Sequence, residues 1–171
     1  GREFPQDVMQ QLQLAVESVF RSWMGKRAVD YRREFHITPD MANGTAVNIC
    51  TMVFGNKGPE SGSGVVFTAH PYRKVRRVAL WGDYAPGVQG EDIVSGLVNT
   101  YPVSIEQTEF DGRSKENSLE LRFPNIYESL LALARELVYE KEWNPQEIEF
   151  TFEGPESSDL FILQTRDMIT I

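Results

Sequence analysis

The clearest pattern along the chain is a two-residue alternation near its end. In 146–152, Ile148, Phe150 and Phe152 alternate with Glu147, Glu149 and Thr151. A period of two predicts a strand with one apolar and one polar face. Gly154–Ser158 supplies turn chemistry, and Leu160–Thr165 predicts the returning strand. If Glu153 pairs with Leu160, Gln164 lies opposite Glu149. A slip of one residue would destroy that pairing, and sequence alone leaves the register open. Elsewhere a 3.6-residue period is carried by Met9, Leu12, Val16, Val19, Phe20 and Trp23, predicting a helix over 6–24 that ends at Gly25. A second helix is predicted over Asn125–Glu140, with the stripe Ile126, Leu130, Leu133, Leu137 and with Pro124 suited to its start.

Between these elements the signals are shorter. Thr45–Phe54 reads as a buried strand that carries Cys50. Gly55–Gly64 reads as a glycine-rich turn, and Val65–Thr68 and Val75–Trp81 as strands flanking a basic turn at Tyr72–Lys74. Arg27–Pro39 is mixed and holds the basic pair Arg32 and Arg33. Asp83–Gly96 reads as a loop with a helical turn at Glu91–Ser95, 102–117 as a solvated insertion, and Leu119–Phe123 as a short strand. The sum is an α+β fold, with helices packed on a mostly antiparallel sheet and residues 1–171 forming a single domain.

Composition narrows the chemistry. A chain of 171 residues can bury a real core. Its net charge of −8 disfavours nucleic acid and anionic membranes as partners, while leaving room for a nucleotide carried by a metal. Cys50 is the only cysteine, and no apolar run reaches membrane-spanning length, so a cytoplasmic setting is expected. Two scattered histidines, His36 and His70, suggest neither a zinc site nor a catalytic triad. The hairpin remains. Glu147 and Glu149 read either as a solvated strand face or, beside Gln164 and Arg166, as a site for Mg²⁺ bearing a polyphosphate. The glycine-rich turn reads as a phosphate cradle or as a plain connection, and it lacks Walker spacing.

Several stretches, taken in order, resemble the nucleotide-binding, ATP-grasp part of the pyruvate phosphate dikinase family. They are LQLAVESVFRSW at Leu12–Trp23, GTAVNICTMVFGNKGPESGSGVVFT at Gly44–Thr68, WGDY at Trp81–Tyr84, QGEDIVSG at Gln89–Gly96, and the helix Phe123–Trp143 leading into EIEF and LQTR. The resemblance implies an ATP-grasp-like subdomain that binds ATP and Mg²⁺, with Glu149 and Gln164 as metal ligands. Glu147 would share the nucleotide site, standing where the family usually has Asp, and Arg166 would act catalytically by positioning phosphate. Val47, Ile49 and Met52 are candidate adenine contacts.

It also implies phosphoryl transfer from ATP to a histidine on a separate domain, and then to pyruvate. The chain is accordingly read as the C-terminal portion of the ATP-binding domain, inactive alone. Its partners would be the missing ATP-grasp lobe and the phosphohistidine domain, in a homodimeric parent. Departures from the family pattern are Ala69 in FTAHP, Asp83 in WGDY, Cys50, a longer hairpin turn, and no arginine over Leu97–Pro102. They keep open a non-catalytic module or a relative such as phosphoenolpyruvate synthase or an antibiotic phosphotransferase.

Overall fold

The computed structural model describes residues 3–72 and 77–169. The chain forms two compact units, Gly1–Thr51 and Met52–Ile171. The first unit contains two helices. Helix α1 (Val8–Ser22) starts at Asp7, whose carboxylate accepts from the Gln10 N–H at 2.9 Å, satisfying one of the helix's unpaired donors. Helix α2 (Lys26–Glu34) follows after Gly25. It replaces the mixed segment expected at Arg27–Pro39. Its apolar content is too low for a hydrophobic stripe, and it is instead supported by ion pairs such as Lys26–Asp30 at 2.6 Å. The Arg32 guanidinium lies 3.8 Å above the Trp23 ring and also donates to the Trp23 carbonyl at 2.7 Å. No described residue of this unit is buried.

The second unit is built on a five-stranded antiparallel sheet in the order β3-β2-β1-β4-β5. The strands are β1 (Gly62–Phe67), β2 (Trp81–Pro86), β3 (Tyr101–Pro102), β4 (Gln146–Phe152) and β5 (Leu160–Asp167). Helices α3 (Gly90–Val94), α4 (Ile105–Asp111), α5 (Leu119–Arg122) and α6 (Pro124–Arg135) join them. A π-helical turn at Glu136–Glu140 extends α6. The core lies on one sheet face, where Val66, Tyr84, Ile148, Phe150 and Phe152 pack with Leu119, Phe123, Ile126, Leu130 and Leu137. Each large apolar side chain so buried contributes about 1.5–3 kcal/mol. The α+β architecture agrees with the sequence reading, as do α1, α6, the turn at α3 and the closing hairpin.

Four local expectations are corrected. Thr45–Phe54 forms no ladder, and Cys50 is exposed rather than buried. The β-branched content of the segment is a weak preference that forms a strand only where a neighbouring strand pairs with it. The strand expected at Val75–Trp81 instead begins at Trp81 and runs through Asp83 to Pro86, while Val78–Leu80 are buried without strand pairing. Residues 73–76 lie outside the described residues, so part of that expected strand and the basic turn before it do too. Gly82 and Asp83 resemble turn residues, but here Asp83 is tied to Arg113 at 2.6 Å and Gly82 admits the β1 backbone.

The third correction is 102–117, which is no solvated insertion. Gln107 and Thr108 of α4 are buried because their polar atoms are satisfied. The Gln107 Oε1 accepts from the Gly82 and Val103 N–H groups at 3.0 and 3.3 Å, and the Thr108 hydroxyl donates to the Ile105 carbonyl at 2.7 Å. Fourth, Leu119–Arg122 is helical rather than a strand. Ser118 accepts from the Leu121 N–H at 3.4 Å at its start, and Leu119 is fully buried.

Two outcomes follow for stability. A methyl group at Gly82 would overlap the Val65 carbonyl oxygen and come within 2.9 Å of the Val66 Cα, both of them backbone atoms that cannot swing aside. Gly82→Ala is therefore expected to destabilise the sheet unit by about 3 kcal/mol, read as a lowered urea midpoint at unchanged m-value; a midpoint within error of the parent would refute this close approach. The Tyr84 phenol donates to the Asn117 carbonyl at 2.8 Å, and burial pushes its pKa up to about 12. A raised folded-state pKa contributes stability that is complete below the unfolded value and is lost as pH rises through the folded one. Stability should fall between pH 10 and pH 12, and Tyr84→Phe should reduce that fall without abolishing it, because burial raises Tyr127 to about 12 as well. Urea titrations across this range check both statements.

Candidate functional site

Pairing places the predicted residues on one surface. Across β1 and β4, Val65 faces Glu149 and Phe67 faces Glu147. Across β4 and β5, Glu149 faces Gln164 and Glu147 faces Arg166. Residues opposed across a ladder share a face. Ile148, Phe150 and Phe152 occupy the core face, so Glu147, Glu149, Gln164 and Arg166 stand together on the outer face.

The Glu149–Gln164 pairing arises by a route the simple alternation does not contain. The strands leave the turn with Phe152 opposite Leu160, one residue out of the expected phase. Phe150 then faces Ile162, and the ladder shifts before Glu149, so that Leu163 is the extra residue of a β-bulge. The bulge restores Gln164 to the position opposite Glu149. A 3₁₀ turn at Ser157–Asp159 closes the loop, and the Glu153 N–H donates to the Asp159 carbonyl at 3.0 Å.

The open end of the hairpin is locked by Gln146. Its amide nitrogen donates to Asp167 Oδ1 at 2.7 Å and to the Asn144 carbonyl at 2.8 Å, and its oxygen accepts from the Thr165 hydroxyl at 2.9 Å. Bonds from Asn144 and Gln146 hold the Asp167 carboxyl below its ordinary pKa. Sequence reasoning passed over Gln146, since an isolated glutamine at a strand start carries no signal.

The four site residues differ in their engagement. The Arg166 guanidinium donates to Glu147 Oε1 at 2.6 Å, and this bond, with the Glu147 charge and a smaller contribution from Glu149, raises the arginine's pKa further. The pair is partly solvated, so its net worth is small. By contrast, neither the Glu149 carboxylate nor the Gln164 amide makes a side-chain hydrogen bond to another described residue. Among the described residues, no group of three or more His, Cys, Asp or Glu is arranged to hold a metal ion. Two carboxylates and one amide oxygen are nevertheless a donor set that Mg²⁺ completes with water and phosphate oxygens.

Other candidates fall elsewhere. Asp83 shares a rung with Val65 on the same outer face, but its carboxylate is engaged by Arg113 and, at 3.4 Å, by the Thr100 hydroxyl. Ile49 and Met52 are largely exposed and, with the partly exposed Val47, lie in the unpaired segment 45–54. His70 is buried, with its ring 4.1 Å from Trp81, and its Nδ1 accepts from the Tyr72 N–H at 3.0 Å. The glycine-rich turn is held by side chains. The Gly55 N–H donates to Gln89 Oε1 at 2.9 Å, and Ser61 Oγ donates to the Gly55 carbonyl at 2.8 Å.

Comparison with known proteins adds to this geometry. The model of the pyruvate phosphate dikinase AMP/ATP-binding domain matches residues 4–123. The chain is 42% identical over 165 residues to the pyruvate, phosphate dikinase of Entamoeba histolytica, covering 96% of this chain and 17% of that protein. It is 41% identical over 168 residues to the enzyme of Clostridium symbiosum, covering 98% and 17%. With that of Rickettsia conorii, identity is 39% over 160 residues, covering 94% and 16%. The chain thus spans about a sixth of the length of these relatives. The family model stops before the hairpin, whereas the pairwise likeness runs through nearly the whole chain. No helix among the described residues is long and apolar enough to cross a membrane. With an antiparallel sheet backed by helices that suits an ATP-grasp-like fold, this chain belongs to the pyruvate phosphate dikinase AMP/ATP-binding domain family.

Proposed function

We propose that the outer face of the β4–β5 hairpin binds a nucleotide triphosphate with Mg²⁺. Glu149 and Gln164 hold the metal, Glu147 shares the site, and Arg166 offsets phosphate charge. The observation that carries this reading is the pairing across one ladder of a carboxylate and an amide that make no side-chain hydrogen bond to another described residue, with an arginine two residues along. A bound Mg²⁺ would supply charge neutralisation for phosphate oxygens. The chain's own contribution is placement. The sheet fixes Glu149 and Gln164 on adjacent strands, and Glu147 holds the Arg166 guanidinium until phosphate competes for it. Placement and charge compensation supply most of the catalysis in phosphoryl transfer.

In the wider protein this site would serve transfer of a phosphoryl group from ATP to a histidine on a separate domain, and from there to pyruvate to give phosphoenolpyruvate. The support is the likeness to pyruvate, phosphate dikinases. On this reading the chain is the C-terminal portion of an ATP-grasp domain and does not turn over alone. It works with the other ATP-grasp lobe and a phosphohistidine domain in a cytoplasmic homodimer. A second reading, a nucleotide-binding module without catalysis, is favoured by Ala69, which stands in FTAHP where the family pattern has arginine.

Titration of Mg-ATP into the chain, followed by NMR, tests the site. Weak binding that disappears without Mg²⁺ is expected, centred on β4 and β5. Glu149→Ala should abolish the Mg²⁺-dependent part with little change in melting temperature, because among the described residues its carboxylate makes no side-chain hydrogen bond. Arg166→Ala should weaken binding about tenfold, the scale of one charge-assisted hydrogen bond. Unaltered binding in a folded Glu149→Ala protein would remove the site from this hairpin.

A further inference from the structure

The glycine-rich segment 53–61 borders the candidate site. On the outer face, the rung next to Val65–Glu149 is Ser63–Thr151, whose hydroxyls share a hydrogen bond of 2.9 Å. Gly55 sits on this rung so closely that an added methyl would overlap the Ser63 hydroxyl. The segment is anchored from two directions. Gln89, at the start of α3, accepts from the Gly55 N–H and donates to the Val53 carbonyl at 3.4 Å. From the far end of β4, Glu153 accepts from the Phe54 N–H at 2.8 Å through Oε1, while its other oxygen pairs with the Lys57 ammonium. Glu153 therefore crosses 99 residues of sequence to Phe54 and 96 to Lys57. Both bonds are to a charged carboxylate, the stronger class of hydrogen bond.

We propose that Glu153 is a positioning residue that latches the glycine-rich segment against the end of β4, making it a fixed wall of the nucleotide site rather than a free flap. The carboxylate spans two points of the loop, one on the backbone and one on a side chain. Rotation of the loop away from the sheet must break both bonds together. The backbone N–H groups of Phe54 and Gly55 are already engaged by side chains, so neither is available to cradle phosphate. The wall instead bounds the space over Val65 and Glu149, and its bearing on nucleotide affinity rests on the function proposed above. The latch itself stands on its hydrogen bonds alone.

Amide exchange and nucleotide titration together test the proposal. In Glu153→Ala, exchange at Phe54 should accelerate about tenfold, the scale of one lost hydrogen bond to a charged acceptor, while Val66 and Ile148 keep their protection as evidence of folding. Glu153→Gln keeps an oxygen for Phe54 and should restore most of that protection. Unchanged exchange in the alanine variant overturns the latch, and so does a glutamine variant that exchanges as fast as alanine, since the backbone bond would then not hold the segment. With Mg-ATP as probe, about tenfold weaker binding by Glu153→Ala supports the wall. Equal binding by both proteins overturns the wall and leaves the hairpin site standing. Absence of binding by the unsubstituted chain overturns the hairpin site and the wall's role in it, whereas the exchange result still decides the latch.

Discussion

The alternation along β4 is the constraint on which the rest depends. Ile148, Phe150 and Phe152 are sealed under α5 and α6, and turning them outward would expose three large apolar side chains at about 2 kcal/mol each. That cost fixes which way the strand faces. Glu147 and Glu149 are then held on the opposite surface, whatever their own preferences. The core selects the register, and the register builds the site.

Packing on β4 also explains the hairpin's irregularity. The compact turn at Ser157–Asp159 sets Phe152 opposite Leu160, and continued regular pairing would place Leu163, not Gln164, across from Glu149. The extra residue at Leu163 corrects the phase. Gln146, bonded to Thr165 and Asp167, secures the strands beyond the bulge. The bulge therefore lies between two fixed ends, which is where a local kink in a ladder can be maintained.

Charge is distributed to match this frame. On the hairpin's part of the outer face, Glu147 and Glu149 stand side by side, half compensated by Arg166 through Glu147. At the adjacent rung, the Ser63–Thr151 pair and the anchored segment 53–61 close off the surface with groups whose hydrogen bonds are already made. On the proposed reading, a cation and its phosphates would meet a carboxylate and an amide that make no side-chain hydrogen bond to another described residue, bounded by satisfied neighbours. Family membership, established by similarity over nearly the whole chain, supports the proposal that a nucleotide is the ligand of this face.

By itself, the sequence determined what periodicity and motif can carry. The α+β class, α1 and α6 and the two faces of β4 were legible, because alternation and helical stripes report burial directly, whereas the pairing of Gln164 and Arg166 with Glu149 and Glu147 was a conditional expectation that only the bulge fulfils. Tertiary structure decided what depends on partners distant in the chain. Thr45–Phe54 has strand composition but pairs with no strand. Asp83–Pro86 reads as the start of a loop, yet pairs with β1. Gln107 and Thr108 read as solvated, although hydrogen bonds to Gly82, Val103 and Ile105 allow them to be buried. The bulge at Leu163 and the hold of Glu153 on Phe54 and Lys57 belong to the same class. A polar residue's fate follows from who satisfies it, and only the folded chain brings those partners together.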